Sequence, residues 1–515
     1  MDAENSVTPH SAGGMGHGVE TRPSVKNLFG ILHQHALDAG ICCVVEWLLG
    51  VPWWCPMRSA DAVRIPVTGK LFNWESLDDS PDLVALKLFL GMLPDEKLIS
   101  ALRFRRYKGR DDYPVPTLWR VHLLRYFLRH ATMESCLAEM RRNAALRELA
   151  FIANVADVPK PWNISRFEEV LGEPMHLTLL REMFEQFLRK LGLVVPDLGR
   201  HTAGDSSCLS ARGDSKEACK HDGTLPQPAG GRKEYRSDDG VISRIYEWFG
   251  YKFHLLVDVK HEVILAWHVT SATESDAGQI PELIRQAQGN LPEGRIETMT
   301  YDKAADDVKT HTLLREQNIK PVVQNRQMWR EEGERMLPGH DGNSNIVYDE
   351  AGTVFCYDKV SEPPIKHKMA YTGYEKSRGT LKYRCPARHE GWSCPSAGRC
   401  NKDKPFGKTV RVKQAIDLRR FPPIPRATME FERRYKGRTA IERVNARCKL
   451  FWGADDGNIK GAKRFHAHVA TIMVVHALFA TALACAPRYE GKSLSPVKLS
   501  KISLALYPGN PVNST

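Results

Sequence analysis

The chain has little of what would place it outside a cell or in a membrane. No secretory signal opens it. Residues 1–25 are rich in Gly, Ser, His and Thr, lack an apolar core, and are expected to form a disordered tail. No internal repeat is evident, which excludes a solenoid or a propeller. Long hydrophobic runs are also scarce. Ile41 to Cys55 is apolar but short, and Glu46, Gly50 and Pro52 interrupt it. Only His468 to Ala486 approaches membrane-span length, and it carries Thr471, His476 and Thr481. It is expected to be a buried helix packed on a sheet. Acidic side chains are outnumbered, 61 against 73 basic ones, leaving a net charge of +12. That balance favours a polyanionic partner without proving one. At 515 residues the chain is too long for one ordinary domain and can bury sizeable cores.

What the chain does have is a pattern near its C-terminal end. Tyr435, Arg438, Glu442 and Lys449 read Y-x2-R-x3-E-x6-K. At about 100° per residue, one helix would bring these four within roughly 60° of one another. Ile441, Val444, Cys448 and Phe451 would form an apolar stripe on the other side. The open face then shows a carboxylate flanked by two cations and a phenol, groups suited to phosphates and metal ions. The plainer reading is a solvated face with an i, i+4 Arg–Glu pair. Upstream, Asp302 follows the β-type run Glu297–Tyr301 and precedes a helical pattern with Val308, Leu313 and Leu314. Asp205 stands before Ser206 and Ser207, where it is either a strand-end acid or the start of a turn. Asp214 and Asp222 are its rivals in sequence. Gly250–Asp258 and Val263–Thr270 read as strands and Asp276–Gln288 as a helix, which predicts an α/β fold. Asp258 closes the first of these runs and is tempting as a further acid.

Taken in order, Asp205, Asp302 and the Tyr435–Arg438–Glu442–Lys449 pattern resemble the three catalytic acids and the Y-R-E-K signature of bacterial insertion-sequence transposases of the DDE type. The resemblance covers about residues 80–485 and departs at Ala304 and Ala305, where the family usually has a small-aromatic pair. It implies an RNase H-like catalytic core with a β-rich insertion, preceded by an all-helical N-terminal domain. It makes Asp258 the end of a structural strand. The implied layout is a tail at 1–25, a helical DNA-binding domain at 26–195 and the first part of the core at 196–310. The insertion would then occupy 311–430, the C-terminal helices of the core 431–486, and a tail 487–515. The resemblance also implies two Mg²⁺ (or Mn²⁺) ions. Asp205 would bridge them, and Asp302 and Glu442 would each complete one coordination sphere. Tyr435, Arg438 and Lys449 would contact DNA.

The implied activity is binding of the inverted-repeat ends of an insertion sequence, followed by DNA cleavage and strand transfer. A homodimer would act in a synaptic complex, in the cytoplasm beside the nucleoid and away from membranes. One rival is an RNase H-like nuclease that cuts without strand transfer. The other is a transposase-derived DNA-binding protein without catalysis.

Twelve cysteines in such a reducing compartment do not suggest a disulfide framework. Cys385, Cys394 and Cys400 are spaced C-x8-C-x5-C among Gly, Pro and Ser, with Cys356 upstream. These four could hold a structural Zn²⁺, or His389 could replace Cys356, although compact C-x2-C pairs are absent. Three reduced loop thiols are the alternative. In the N-terminal third, Pro81–Leu93, Val115–His130, Met133–Arg142 and Pro174–Leu191 read as helices. The last carries Leu177, Leu180, Phe184, Phe187 and Leu191 at helical spacing, with Gly192 expected just past its end. Asn163–Phe167 resembles the family's N-terminal domain and precedes a helix. Arg103, Arg105, Arg106, Lys108 and Arg110 are expected to meet DNA. A second basic run, Lys408, Arg411, Lys413, Arg419 and Arg420, has no assigned role.

Overall fold

A computed structural model describes residues 80–506, apart from 109–110, 214–224, 238–240, 330–332, 340–344, 401–403, 490 and 496–498. The expected tail at 1–25, Arg110, Asp214 and Asp222 lie outside the described residues.

Among the described residues, seven α-helices lead in: α1 (Pro81–Met92), α2 (Glu96–Arg106), α3 (Val115–Phe127), α4 (Met133–Arg142), α5 (Ala144–Leu149), α6 (Pro161–Leu171) and α7 (Pro174–Val194). Their ends follow local chemistry. Ser80 caps α1 by accepting from Leu83 N, Thr132 caps α4 likewise from Ser135 N, and Pro opens α6 and α7. On α7, Leu180, Phe184, Phe187 and Leu191 are buried and Leu177 is partly so. Gly192 does not end this helix. It lies inside, where a Cβ would come 3.2 Å from Pro292 Cδ. Its missing side chain serves a close helix–loop contact rather than a cap.

A six-stranded sheet follows, built from β1 (His201–Ser210), β2 (Ala229–Arg236), β3 (Ile242–Asp258), β4 (Ile264–Ser271), β5 (Thr298–Tyr301) and β6 (Lys320–Val323). The first half of β3 pairs with β2. Its second half lies between β1 and β4, antiparallel to both. β5 runs parallel to β1 on one side and to β6 on the other. α8 (Ile280–Asn290) joins β4 to β5, and α9 (Val308–Glu316) joins β5 to β6. The core therefore continues to Val323 and does not stop at 310, because the strand after α9 finds its partner in β5.

The inserted segment starts with β7 (Arg335–Met336), β8 (Ile346–Tyr348), β9 (Val354–Asp358) and β10 (Ile365–Lys368), which form one antiparallel sheet. β11 (Ala370–Glu375), β12 (Thr380–Arg384) and β13 (Thr409–Lys413) form another, with the short helices α10 (Pro386–Glu390) and α11 (Ala397–Cys400) between β12 and β13. A small core of its own, including Leu337, Ile346, Leu381, Tyr383, Val412 and Phe421, holds these sheets.

The chain returns through α12 (Met429–Lys436), α13 (Thr439–Trp452) and α14 (Ala462–Ala484). α14 is apolar on every side, which suits only a helix surrounded by protein. From Phe465 to Ala484 every residue is buried. It is the one helix among the described residues long and apolar enough to cross a membrane. It packs on β4 and on α3, α6 and α7. His468 Nε2 donates to Gly453 O at 2.8 Å, so its Nδ1 accepts from Tyr126 OH of α3 at 2.7 Å. His122 Nε2 and Thr471 Oγ1 are hydrogen-bonded at 3.1 Å. The leading helices and the sheet thus share one hydrophobic core, so the helical N-terminal segment is packed onto that sheet. Past residue 487, α15 (Leu499–Leu506) packs on α1, so that stretch is not wholly a tail.

Candidate active site

The strand register brings two acids level. His201 pairs with Thr298 and Ala203 with Thr300 across the parallel β1–β5 ladder. Carried two residues further, that register sets Asp205 opposite Asp302, just where β5 ends. Asp205 is thus inside β1 rather than at its end; it is β5 that stops beside it. Gly204 makes the approach possible, since a Cβ there would lie 2.4 Å from the Tyr301 ring. The buried Tyr301 ring therefore fills the space beside Gly204, and the two residues that follow them are the acids.

Asp302 leads into a short turn and accepts from Ala304 N at 2.9 Å. Asp205 Oδ1 accepts from Ser206 N at 2.9 Å. Burial pushes Asp205 up to about 6 against that hydrogen bond. The charge of Asp302 adds to the rise, while Arg438 and Lys233 offset part of it.

Glu442 lies in the first turn of α13, where a carboxylate faces the positive helix end. Ala440, Ile441, Val444 and Cys448 bury the inner side of α13, while Phe451 is partly buried. Arg443 Nε donates to Glu262 at 2.6 Å, and Arg447 reaches the same carboxylate, fastening α13 to the β3–β4 turn. Arg438 stands between two acids. It donates to Glu442 at 2.6 Å and lies 3.7 Å from Asp205.

Tyr435 is not on the same helix. The first helix ends at Lys436 with Gly437 as its cap, close to Val259, and the next begins at Thr439, so α12 and α13 are separate. Tyr435 OH donates to Gln324 at 3.1 Å, and its ring stacks on Phe431. It still faces the cluster, since Asp302, Asp205 and Arg438 all act on its phenol electrostatically. Lys449 donates to Cys208 O at 2.6 Å and pairs with Asp455 at 3.2 Å. It ties α13 to β1 and is held by protein partners. Asp258 ends β3 and accepts from Gly199 N at 2.8 Å and from His261 N, which makes it a turn holder.

A second carboxylate, four residues after Asp302, has no distinguishing mark in sequence. Asp306 is 1 % exposed. Its oxygens meet Arg419 Nε at 2.8 Å, Arg426 Nη2 at 2.7 Å, Arg326 N at 2.8 Å and His311 Nε2 at 3.0 Å. Burial alone would raise this acid, but these donors hold it down at about 2. The turn that follows Asp302 is thereby bolted to the chain returning from the insertion. Its arginines are 113 and 120 residues away, so no local signal could pair them.

The basic runs are less free than their sequence suggests. Arg105 makes a bidentate pair with Glu173, and Arg106 pairs with Asp111, whereas Arg103 and Lys108 are exposed beside the exposed Phe104 and Tyr107. In the second run Arg419 belongs to the Asp306 lock, and Lys408 donates to Asn345 at 3.1 Å. The four expected cysteines do line one cavity. Burial pushes Cys356 up to about 12, and the other three thiols add to that. His389 lies outside this lining and accepts from Arg384 Nε at 2.8 Å. Among the described residues, no three His, Cys, Asp or Glu side chains are gathered closely enough to hold a metal ion as they stand.

Two solved structures share a loose similarity with the chain. A piggyBac transposase synaptic complex with hairpin DNA matches at 10 % identity and a TM-score of 0.33, covering 82 % of this chain and 80 % of that one. A pre-cleavage Mos1 transpososome matches at 11 % identity and a TM-score of 0.15, covering 44 % and 77 %. Both likenesses are too weak to carry an argument. The decisive match is in sequence, to the family model for the transposase DDE domain, over residues 198–478. That span begins just before β1 with Asp205, takes in Asp302, the whole insertion and Glu442, and ends inside α14; the chain belongs to the transposase DDE domain family.

Proposed function

We propose that the chain is an active transposase that binds the inverted-repeat ends of its insertion sequence, cuts DNA there and joins the ends to target DNA. The sheet order β4-β3-β1-β5-β6, two antiparallel ladders followed by two parallel ones, supports an RNase H-like core. The observation that carries the reading is the level placement of Asp205 and Asp302, with Arg438 spanning Asp205 and Glu442.

The three acids suit divalent cations. They offer hard carboxylate oxygens, and burial, with the charge of Asp302 adding to it, raises Asp205 to about 6, a cost that a bound cation would offset. Asp205, Asp302 and Glu442 would hold Mg²⁺ or Mn²⁺, which when bound supplies an activated nucleophile and a stabilised leaving oxygen. The protein's own part is placement. Tyr301 against Gly204 fixes the spacing of β1 and β5, and the Asp306 lock fixes the turn behind Asp302. Arg438 can exchange its carboxylate partners for phosphate oxygens, to which a guanidinium fork binds well. Tyr435 lies beside it for a hydrogen bond or a stack. Arg103 and Lys108, with exposed Phe104 and Tyr107, offer a further surface for the DNA backbone and bases. Two copies would bring two ends together.

The test uses the DNA flanking the gene, with Mg²⁺, and compares wild type with Glu442→Gln. Nicking at the repeat tips and joining by wild type, with binding alone by the variant, is the expected result. Cutting without joining would replace the reading with a nuclease. Binding without cutting by either protein, in Mg²⁺ or Mn²⁺, would leave a DNA-binding protein only.

A further inference from the structure

The inserted sheets carry a feature that the DNA chemistry does not use. Cys356 on β9, Cys385 just after β12, Cys394 beyond α10 and Cys400 at the end of α11 line a single cavity, and all four are free thiols. Each sits on ordered backbone. Cys356 is paired in the sheet with Ile346 and His367. Cys385 N donates to Lys408 O at 2.8 Å, and Cys385 O accepts from His389 N at 3.1 Å. Cys394 O accepts from Ala397 N at 3.0 Å, and Cys400 N donates to Ser396 O at 3.0 Å. Gly407, at φ +64°, passes so close that a Cβ would lie 2.6 Å from Cys385 Cβ. That tight turn is shaped around the thiol.

Four thiols gain little from one another, because S–H is a weak donor and sulfur a weak acceptor. Three of them, Cys385, Cys394 and Cys400, are also outside the apolar cluster of the insertion, so packing does not explain their meeting. A cation does. Soft thiolates prefer zinc, and four of them suit a closed structural site. Binding releases one proton from each thiol and leaves the site with a net double negative charge. Lys408 and Arg388 line the same cavity and offset that charge.

We propose that Cys356, Cys385, Cys394 and Cys400 form a structural zinc site that clips β9, the end of β12 and the α10–α11 segment together. The site is separate from the three acids, being built on the inserted sheets rather than the main one. Binding draws together thiols that share the cavity but do not stand at coordination distance beforehand.

The test is metal content and thiol reactivity of the purified full-length protein, prepared without chelator. One zinc per chain is expected, released in step as a mercurial titrates four thiols. Replacing zinc with Co²⁺ should give the visible bands of a tetrahedral thiolate complex, together with sulfur-to-metal charge transfer. Cys394→Ser should lose both signals, whereas Asp205→Asn keeps them, which separates this site from the acids. If Cys394→Ser fails to fold, the cobalt spectrum of wild type still decides. Metal-free protein whose thiols react at once, and which gives no such bands with added Co²⁺, overturns the proposal. So does zinc held by three thiols and His367.

Discussion

Asp302 and Asp306 are separated by three residues and have opposite fates. Near Asp302 a single guanidinium, Arg438, lies between Asp205 and Glu442, and Asp205 is raised to about 6. Asp306 has two arginines, a histidine and a backbone N–H to itself, and is held at about 2. Burial raises both acids; only Asp306 has enough donors to overcome it. An acid that folding needs is fully compensated in the folded chain, whereas an acid that, in the proposed reading, would take a cation is left uncompensated.

The sharpest way to break this comparison is to neutralise one acid from each group. Asp302→Asn should reduce DNA cleavage by at least ~10³-fold while the protein stays folded, measured on end-containing DNA with matched thermal melts. Asp306→Asn should do the reverse, losing about 3–5 kcal/mol of stability because Arg419 and Arg426 are left buried without their partner. Chemical denaturation would read that directly. Equal stability losses in the two variants would end the distinction.

The pH dependences should run in opposite directions. Between pH 3.8 and about 6 the folded chain keeps a proton on Asp205 that the unfolded chain has released. Stability from this group therefore falls as pH rises through that window, on the order of 3 kcal/mol in total. Asp205→Asn should abolish this component, and added Mg²⁺ or Mn²⁺ should raise the melting temperature of wild type but not of that variant. Asp306 gives stability that is complete above pH 3.8 and is lost as pH falls through about 2. Melts across pH 2–7 of the two neutralised variants would separate the windows.

A smaller effect is expected from Gly204→Ala, about 1–3 kcal/mol, because the added methyl meets the Tyr301 ring. Its loss of cleavage should exceed its loss of stability if the spacing of β1 and β5 sets the acids. Smallest of all, Lys449→Met should cost about 1 kcal/mol and leave DNA affinity nearly unchanged, since its amine is held by Cys208 O and Asp455.

Much of the site was legible because its parts are local. A β-type run before Asp302, and an apolar stripe opposite Glu442, are patterns that a strand end and a helix face write into a few adjacent residues. Cys385, Cys394 and Cys400 were legible for the same reason. The break at Gly437 was not, because no proline marks it and the spacing of the motif suits one continuous helix. Nor was the extent of the core: β6 is short, and only its pairing with β5 shows that it belongs to the main sheet. The Asp306 lock was invisible, since Arg419 and Arg426 reach it from the far end of the insertion. The leading helices were mostly found, but their periodicity does not say which partner fills their apolar faces. That partner is α14.

The position of α14 in the chain has a consequence for synthesis. The helices it joins are complete by Val194, and α14 itself begins only at Ala462. On the ribosome, the leading helices emerge well over two hundred residues before the element that fills their core. A chain that stops before Ala462 carries Asp205, Asp302 and Glu442 without the long helix that fills the core between the leading helices and the sheet. If the chain cuts DNA as proposed, copies truncated before Ala462 are expected to fold poorly and to cut little, which limited truncation and a cleavage assay would check.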